Sequence, residues 1–166
     1  MLNPKFEDGR VNGTTARTQQ ADGTENRLKT PERILVVDNA KPVQKFISMV
    51  LTEAGYECRT CSSGREALAL LKSGERFDLL LCDLLNNPHG ITLLERTKED
   101  YPSMPVLIAT APCCVCTARF AVNGMGASGY LLKPFRAKTL LIAIWQALAG
   151  QPVADLSENP GPKANE

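Results

Sequence analysis

Charge of one sign, long apolar runs and histidine are all scarce in this chain of 166 residues. Lys and Arg number 19 against 18 Asp and Glu, so the net charge is +1. A balance this even gives no electrostatic case for nucleic acid or a charged membrane as partner. No apolar run approaches the roughly 18 residues of a transmembrane helix. The first residues, MLNPKFEDGR, lack the apolar centre of a secretory signal. The expectation is a soluble, cytoplasmic protein with no membrane contact and no direct nucleic-acid contact. Without an export signal, the six cysteines are expected as reduced thiols. Cys58 and Cys82 fall in apolar runs, where cysteine acts as a small core residue. No repeats are visible.

What is present divides into three parts. Residues 1–30 carry seven apolar residues with no period of 2 or 3.6. Such a stretch buries too little surface to offset its ordering entropy, so it reads as a disordered tail. Residues 151–166 hold three prolines and a net charge of −2 and read as a second disordered tail. The folded part is expected over 31–150, near the usual domain size.

Inside that part, strand-like and helix-like stretches alternate. The strands are RILVVD (33–38), YECRT (56–60), FDLLLCD (77–83), PVLIAT (105–110) and SGYLLK (128–133). The helices follow at 41–54, 67–72, 90–99, 115–123 and 137–148. Pro42 suits a first helical turn, Gly55 stops that helix, and Ser63 with Glu66 suggests a capping box. Trp145 shares helical spacing with Leu141 and Leu148, which favours a core position. Five β-then-α units predict an α/β fold, a doubly wound parallel sheet covered by helices on both faces.

Ligands of such sheets bind at the carboxyl ends of the strands. Four apolar strands end there on polar residues: Asp38, Asp83, Thr110 and Lys133. One such residue is ordinary, because strand ends meet solvent. Four at one edge suggest a site. Two neighbouring carboxylates repel, and Mg²⁺ favours one or two carboxylates with water and phosphate oxygens. A lysine ammonium adds a point charge for a phosphoryl group, and a threonine hydroxyl donates to its oxygens. One carboxylate could act as nucleophile and form an aspartyl phosphate. Catalysis would then be mostly positioning and charge neutralisation.

The stretches VVDNAKPVQKF, LLLCDLL, VLIATA and ASGYLLKPF resemble the receiver domain of bacterial two-component response regulators. The resemblance covers about 33–148. It implies a flavodoxin-like five-stranded sheet of order 2-1-3-4-5 with five helices. It implies Asp83 as phosphoacceptor, Asp38 in the acidic group that organises Mg²⁺, and Lys133 as the family lysine. Thr110 and Tyr130 match the switch pair, the ring turning inward as the hydroxyl moves. Lys133–Pro134 matches a bond that is usually cis. The implied partners are a histidine kinase or phosphotransfer protein and a downstream protein target. The short stretch after Gly150 suggests a single-domain regulator that is not itself an enzyme and signals by protein–protein interaction.

Three positions depart from the family pattern. Asn39 stands where the family usually has a second acid that ligates the metal directly. An amide oxygen can coordinate, but with less charge, so Mg²⁺ affinity should fall. The loop LLNNPHG after Asp83 is one residue short, which weakens Leu85 as the backbone-carbonyl ligand. It also places His89, the single histidine, before Gly90; a loop histidine is usually solvated, although one beside a site can titrate near neutrality. The loop APCCVCTARF after Thr110 is one residue long and carries three cysteines, on what is the partner-binding face in the family.

Two other functions remain open on the sequence. A pseudo-receiver would keep the fold and the partner face and act without phosphorylation, as Asn39 and the altered loop suggest. A cysteine-based metal or redox sensor would use Cys58-x-x-Cys61 and Cys113-Cys114-x-Cys116, although their spacing is poor for structural zinc. An aspartate-based phosphohydrolase would need an acid at position 85, which is leucine, and a nucleotide-binding domain would need glycines at 39–42.

Overall fold

The computed structural model describes residues 30–84 and 90–153. Short apolar runs form five strands: β1 (Arg33–Val37), β2 (Glu57–Cys61), β3 (Leu79–Asp83), β4 (Val106–Thr110) and β5 (Gly129–Leu132). Between and after them run α1 (Lys41–Glu53), α2 (Gly64–Lys72), α3 (Gly90–Asp100), α4 (Val115–Met125) and α5 (Ala137–Leu148). A single 3-10 turn, Pro112–Cys114, leads into α4. The strands pair in parallel in the order β2-β1-β3-β4-β5.

Alternation along each strand divides the core into two layers. Leu35, Val37, Leu80, Cys82, Val106 and Ile108 point to one face, which α2, α3 and α4 cover. Ile34, Val36, Leu79, Leu81, Leu107 and Ala109 point to the other, which α1 and α5 cover. Every residue of β3 and β4 is buried, as expected of central parallel strands. β2 lies at an edge and alternates exposed and covered residues.

Local chemistry sets the ends of the elements. Pro42 sits in the first turn of α1, where no amide hydrogen is needed. The Ser63 hydroxyl accepts from the Glu66 amide at 3.2 Å, and the Glu66 carboxylate accepts from the Ser62 amide at 2.9 Å. Gly126 closes α4 in the left-handed region at φ 77°, a conformation costly to other residues. β3 starts two residues later than the apolar run predicts. Asp78 instead accepts from the Arg33 amide at 2.7 Å, and the Arg33 guanidinium stacks on the Phe77 ring.

Two expectations change. Trp145 is not core: it is 57 % exposed, because α5 buries the stripe Leu140, Ala143, Ile144 and Ala147. The packed chain also runs past 150. Val153 joins the α1/α5 layer and fills the space above Gly129, where an added Cβ would meet the Val153 side chain at 2.4 Å. Residues 1–29 and 154–166, most of both expected tails, lie outside the described residues.

Candidate functional site

The strand order makes the site. β1 lies between β2 and β3, so the connections leaving β1 and β3 diverge to opposite faces and open a crevice at their carboxyl ends. Asp38 follows the last residue of β1, and Asp83 is the last of β3. Thr110 ends β4 beside it. The Lys133 amide donates to the Thr110 carbonyl at 2.8 Å, which fixes Lys133 at the same edge. The Lys133–Pro134 bond is cis.

The side chains converge. The Lys133 ammonium donates to Asp38 Oδ2 at 2.5 Å and to Asp83 Oδ2 at 2.9 Å. Asp38 Oδ1 accepts from the Ala40 amide at 2.8 Å. Both carboxylates are buried. Burial works against the charged ammonium, but hydrogen bonds and charge from Asp38 and Asp83 outweigh it and hold Lys133 above the ordinary lysine value. The triad carries one net negative charge. Its donors toward the crevice are hard oxygens, which suit Mg²⁺ rather than a soft ion. Asn39 is exposed next to Asp38. Leu85 and His89 lie outside the described residues.

Thr110 is fully buried, and its hydroxyl makes a long 3.5 Å contact to the Ala111 carbonyl. Tyr130 is buried in the α2/α3/α4 layer, and its hydroxyl accepts from Arg119 Nε at 3.3 Å. Asp38, Asp83 and Lys133 are thus in direct contact, with Thr110 adjoining them along the strand ends.

Two supporting residues escape a reading of strand ends. Gln44 is buried on α1; its amide nitrogen donates to the Asp38 carbonyl and, at 3.1 Å, to the Cys61 carbonyl. It ties the β1–α1 turn to the end of β2. The signal was a polar residue inside the α1 stripe Ile47, Val50 and Leu51. Gln44→Leu should lower unfolding stability by about 1–3 kcal/mol, because the buried Asp38 carbonyl loses its donor. Urea denaturation measures that loss, and an unchanged midpoint would deny Gln44 this part. Gly90 opens α3 against the end of β3: an added Cβ would stand 2.4 Å from the Asp83 carbonyl oxygen.

The cysteines do not form the zinc site that their spacing raised. β1 and β3 separate β2, with Cys61, from the β4–α4 turn, with Cys113 and Cys114. Among the described residues, no three His, Cys, Asp or Glu residues group to hold a metal. Burial, with the charge of Asp83 adding, pushes the Cys82 thiol up to about 12; burial first, then Glu66, does the same for Cys61. Such thiols are inert at neutral pH.

Comparison with known proteins gives the same assignment. The model of the response regulator receiver domain matches residues 34–145. The transcriptional regulatory protein ZraR of Escherichia coli O157:H7 is 37 % identical over 135 residues, 80 % of this chain and 30 % of its own length. The response regulator protein FleR of Pseudomonas aeruginosa is 35 % identical over 136 residues, 81 % of this chain and 28 % of its own length. The chain therefore spans under a third of these curated relatives. A putative response regulator from Chloroflexus aurantiacus superposes with a TM-score of 0.67 at 33 % identity, over 72 % of this chain and 98 % of its own. A CheY-like receiver domain protein from Methanospirillum hungatei gives a TM-score of 0.67 at 29 % identity, over 72 % of this chain and 94 % of its own. Flavodoxin-like topology, an acidic pocket bridged by one lysine and a family match over most of the chain lead to one conclusion: the chain belongs to the response regulator receiver domain family.

Proposed function

We propose that Asp83 accepts a phosphoryl group from a histidine kinase or phosphotransfer protein, with Mg²⁺ at the site. The phosphorylated domain then signals through a downstream protein. The observation that carries this reading is the Lys133 ammonium held between Asp38 and Asp83 at the crevice. Receiver domains generally bind Mg²⁺ at this position. Here Asp38 and Asp83 would hold the ion, with Asn39 offering an amide oxygen and Leu85 a carbonyl. The ion supplies charge neutralisation for the incoming phosphoryl group.

The remaining chemistry belongs to the chain. The Asp83 carboxylate attacks phosphorus, and the donor's nitrogen or oxygen leaves with the bonding electrons. Lys133 offsets charge on the carboxylates and on the phosphoryl oxygens. Thr110 donates its hydroxyl to a phosphoryl oxygen, drawing it from the weak Ala111 contact, and Tyr130 follows on the same face. Near end-to-end coverage of two solved receiver chains supports a domain that acts as its own unit. Among the described residues no helix is long and apolar enough to cross a membrane, in keeping with a cytoplasmic domain between protein partners. The test is incubation with acetyl phosphate, with and without Mg²⁺. The expected outcome is a Mg²⁺-dependent gain of one phosphoryl mass; no gain from either acetyl phosphate or a phosphorylated kinase contradicts it.

Asn39 favours a second reading, a pseudo-receiver that binds its partner unmodified. Asn39→Asp separates the two. A third carboxylate beside Asp38 should tighten Mg²⁺ binding by about tenfold, as added ligand charge does for hard cations. It should also lower stability without metal, since one lysine then serves three acids. Calorimetric titration with Mg²⁺ reads the first effect, and thermal unfolding in chelator reads the second. Unchanged affinity would remove Asn39 from the metal site.

A further inference from the structure

The turn between β4 and α4 carries two thiols side by side. Cys113 and Cys114 end the 3-10 turn with Sγ atoms 3.5 Å apart. Cys113 is exposed and Cys114 half-buried. The Cys114 amide donates at 3.0 Å to the Ala111 carbonyl, the same oxygen that the Thr110 hydroxyl contacts at 3.5 Å. The pair therefore opens to solvent on one side and is linked to Thr110 through the Ala111 carbonyl on the other.

Geometry distinguishes what could join the two sulfurs. Their peptide bond is trans, so the Cα atoms stand about 3.8 Å apart, below the roughly 4.4–6.8 Å that disulfides span. A direct sulfur–sulfur bond is disfavoured. An interposed atom is not: at a thiolate bond length of about 2.3 Å, sulfurs 3.5 Å apart subtend about 100°. That angle fits a pyramidal trivalent centre. Zinc would need two further protein ligands, and the described residues group no third.

We propose that Cys113 and Cys114 form a dithiol site for a monosubstituted trivalent arsenical, and that its occupancy restrains Thr110 and slows phosphoryl uptake. The chemistry balances without an oxidant. Two S–H bonds break, two As–S bonds form, and the arsenic-bound oxygen leaves with both protons as water. Arsenic stays trivalent. The hydrogen bond shared with Cys113, then burial, holds the Cys114 thiol protonated above its ordinary value, while the Thr110 hydroxyl opposes this. Condensation with loss of water tolerates a protonated thiol; binding a bare divalent ion does not. Cys58 and Cys61 do not compete, since Cys61 lies in the α2/α3/α4 core layer and Cys58 packs on the opposite face of the sheet, so their sulfurs cannot share one atom.

The probe is phenylarsine oxide, read by intact mass on the full chain. Wild type should gain one phenylarsine group less two hydrogens, and a small dithiol should remove it. Cys113→Ser and Cys114→Ser should each weaken loading by about a hundredfold or more, the loss expected when a second tethered contact is removed. Cys116→Ser should load as wild type does. No stable adduct, or equal loading of either serine variant, overturns the site. The second arm rests on the phosphoryl-acceptor reading: loaded wild type should take phosphate from acetyl phosphate several-fold more slowly, and an unchanged rate overturns the coupling. If unloaded protein takes no phosphate, that reading fails while the mass arm still decides the site.

Discussion

Asp83→Asn should abolish phosphoryl uptake and leave the fold in place. The amide matches the carboxylate in shape and keeps an oxygen to accept from Lys133, 2.9 Å away in the wild type. It lacks the anionic oxygen that the proposed transfer needs as nucleophile. It also removes one of two buried acids that share a single lysine. Unfolding stability without metal should therefore equal or exceed that of wild type. The paired measurement is intact mass after acetyl phosphate and urea denaturation of the same sample. Phosphoryl gain in the variant would move the acceptor elsewhere; loss of both folding and uptake would leave uptake to be judged by Asp83→Glu, whose displaced carboxylate should take phosphate poorly in a folded domain.

Lys133→Met has the largest expected effect on stability. It keeps the bulk of the side chain and deletes the cation that, among the described residues, meets both Asp38 and Asp83. Removing one member of a buried ion pair costs about 3–5 kcal/mol, because the remaining charge stays desolvated. Lys133 is 21 % exposed, and solvent reduces that, so a loss of about 2–3 kcal/mol is expected. Mg²⁺ should restore part of it by replacing the missing positive charge. The pH dependence carries a sign. The Lys133 value is raised in the folded state, so its stabilisation is complete below the ordinary 10.5 and lost as pH rises through the raised value. Wild type should lose stability on that alkaline limb, and Lys133→Met should lose less. Parallel alkaline limbs in urea denaturation would show that the ion pair contributes nothing.

The centre of the sheet was legible because β1, β3 and β4 are buried on both faces and read as apolar runs. LLLCD and VLIAT have no polar interruption to mistake, and their ends fall on Asp83 and Thr110. Strand edges were less legible: Asp78 precedes β3, yet its amide donates to the Arg33 carbonyl at 2.8 Å and its carboxylate accepts from the Arg33 amide. Trp145 misled because helical spacing defines a stripe but not its width, and small Ala143 and Ala147 lie on the buried line. Gln44 was missed because its partners, the Asp38 and Cys61 carbonyls, are far apart in sequence and carry no sequence signal. The same holds for Cys114 and Thr110, which the 3-10 turn links through the Ala111 carbonyl.

The most direct measurement is chemical trapping of the acyl phosphate. Wild-type protein is phosphorylated in Mg²⁺, reduced with borohydride and sequenced by mass spectrometry. An aspartyl phosphate is reduced to homoserine, so the expected result is homoserine at position 83 and nowhere else. Homoserine at another aspartate, or none after exposure to acetyl phosphate and to a phosphorylated kinase, would contradict Asp83 as the acceptor.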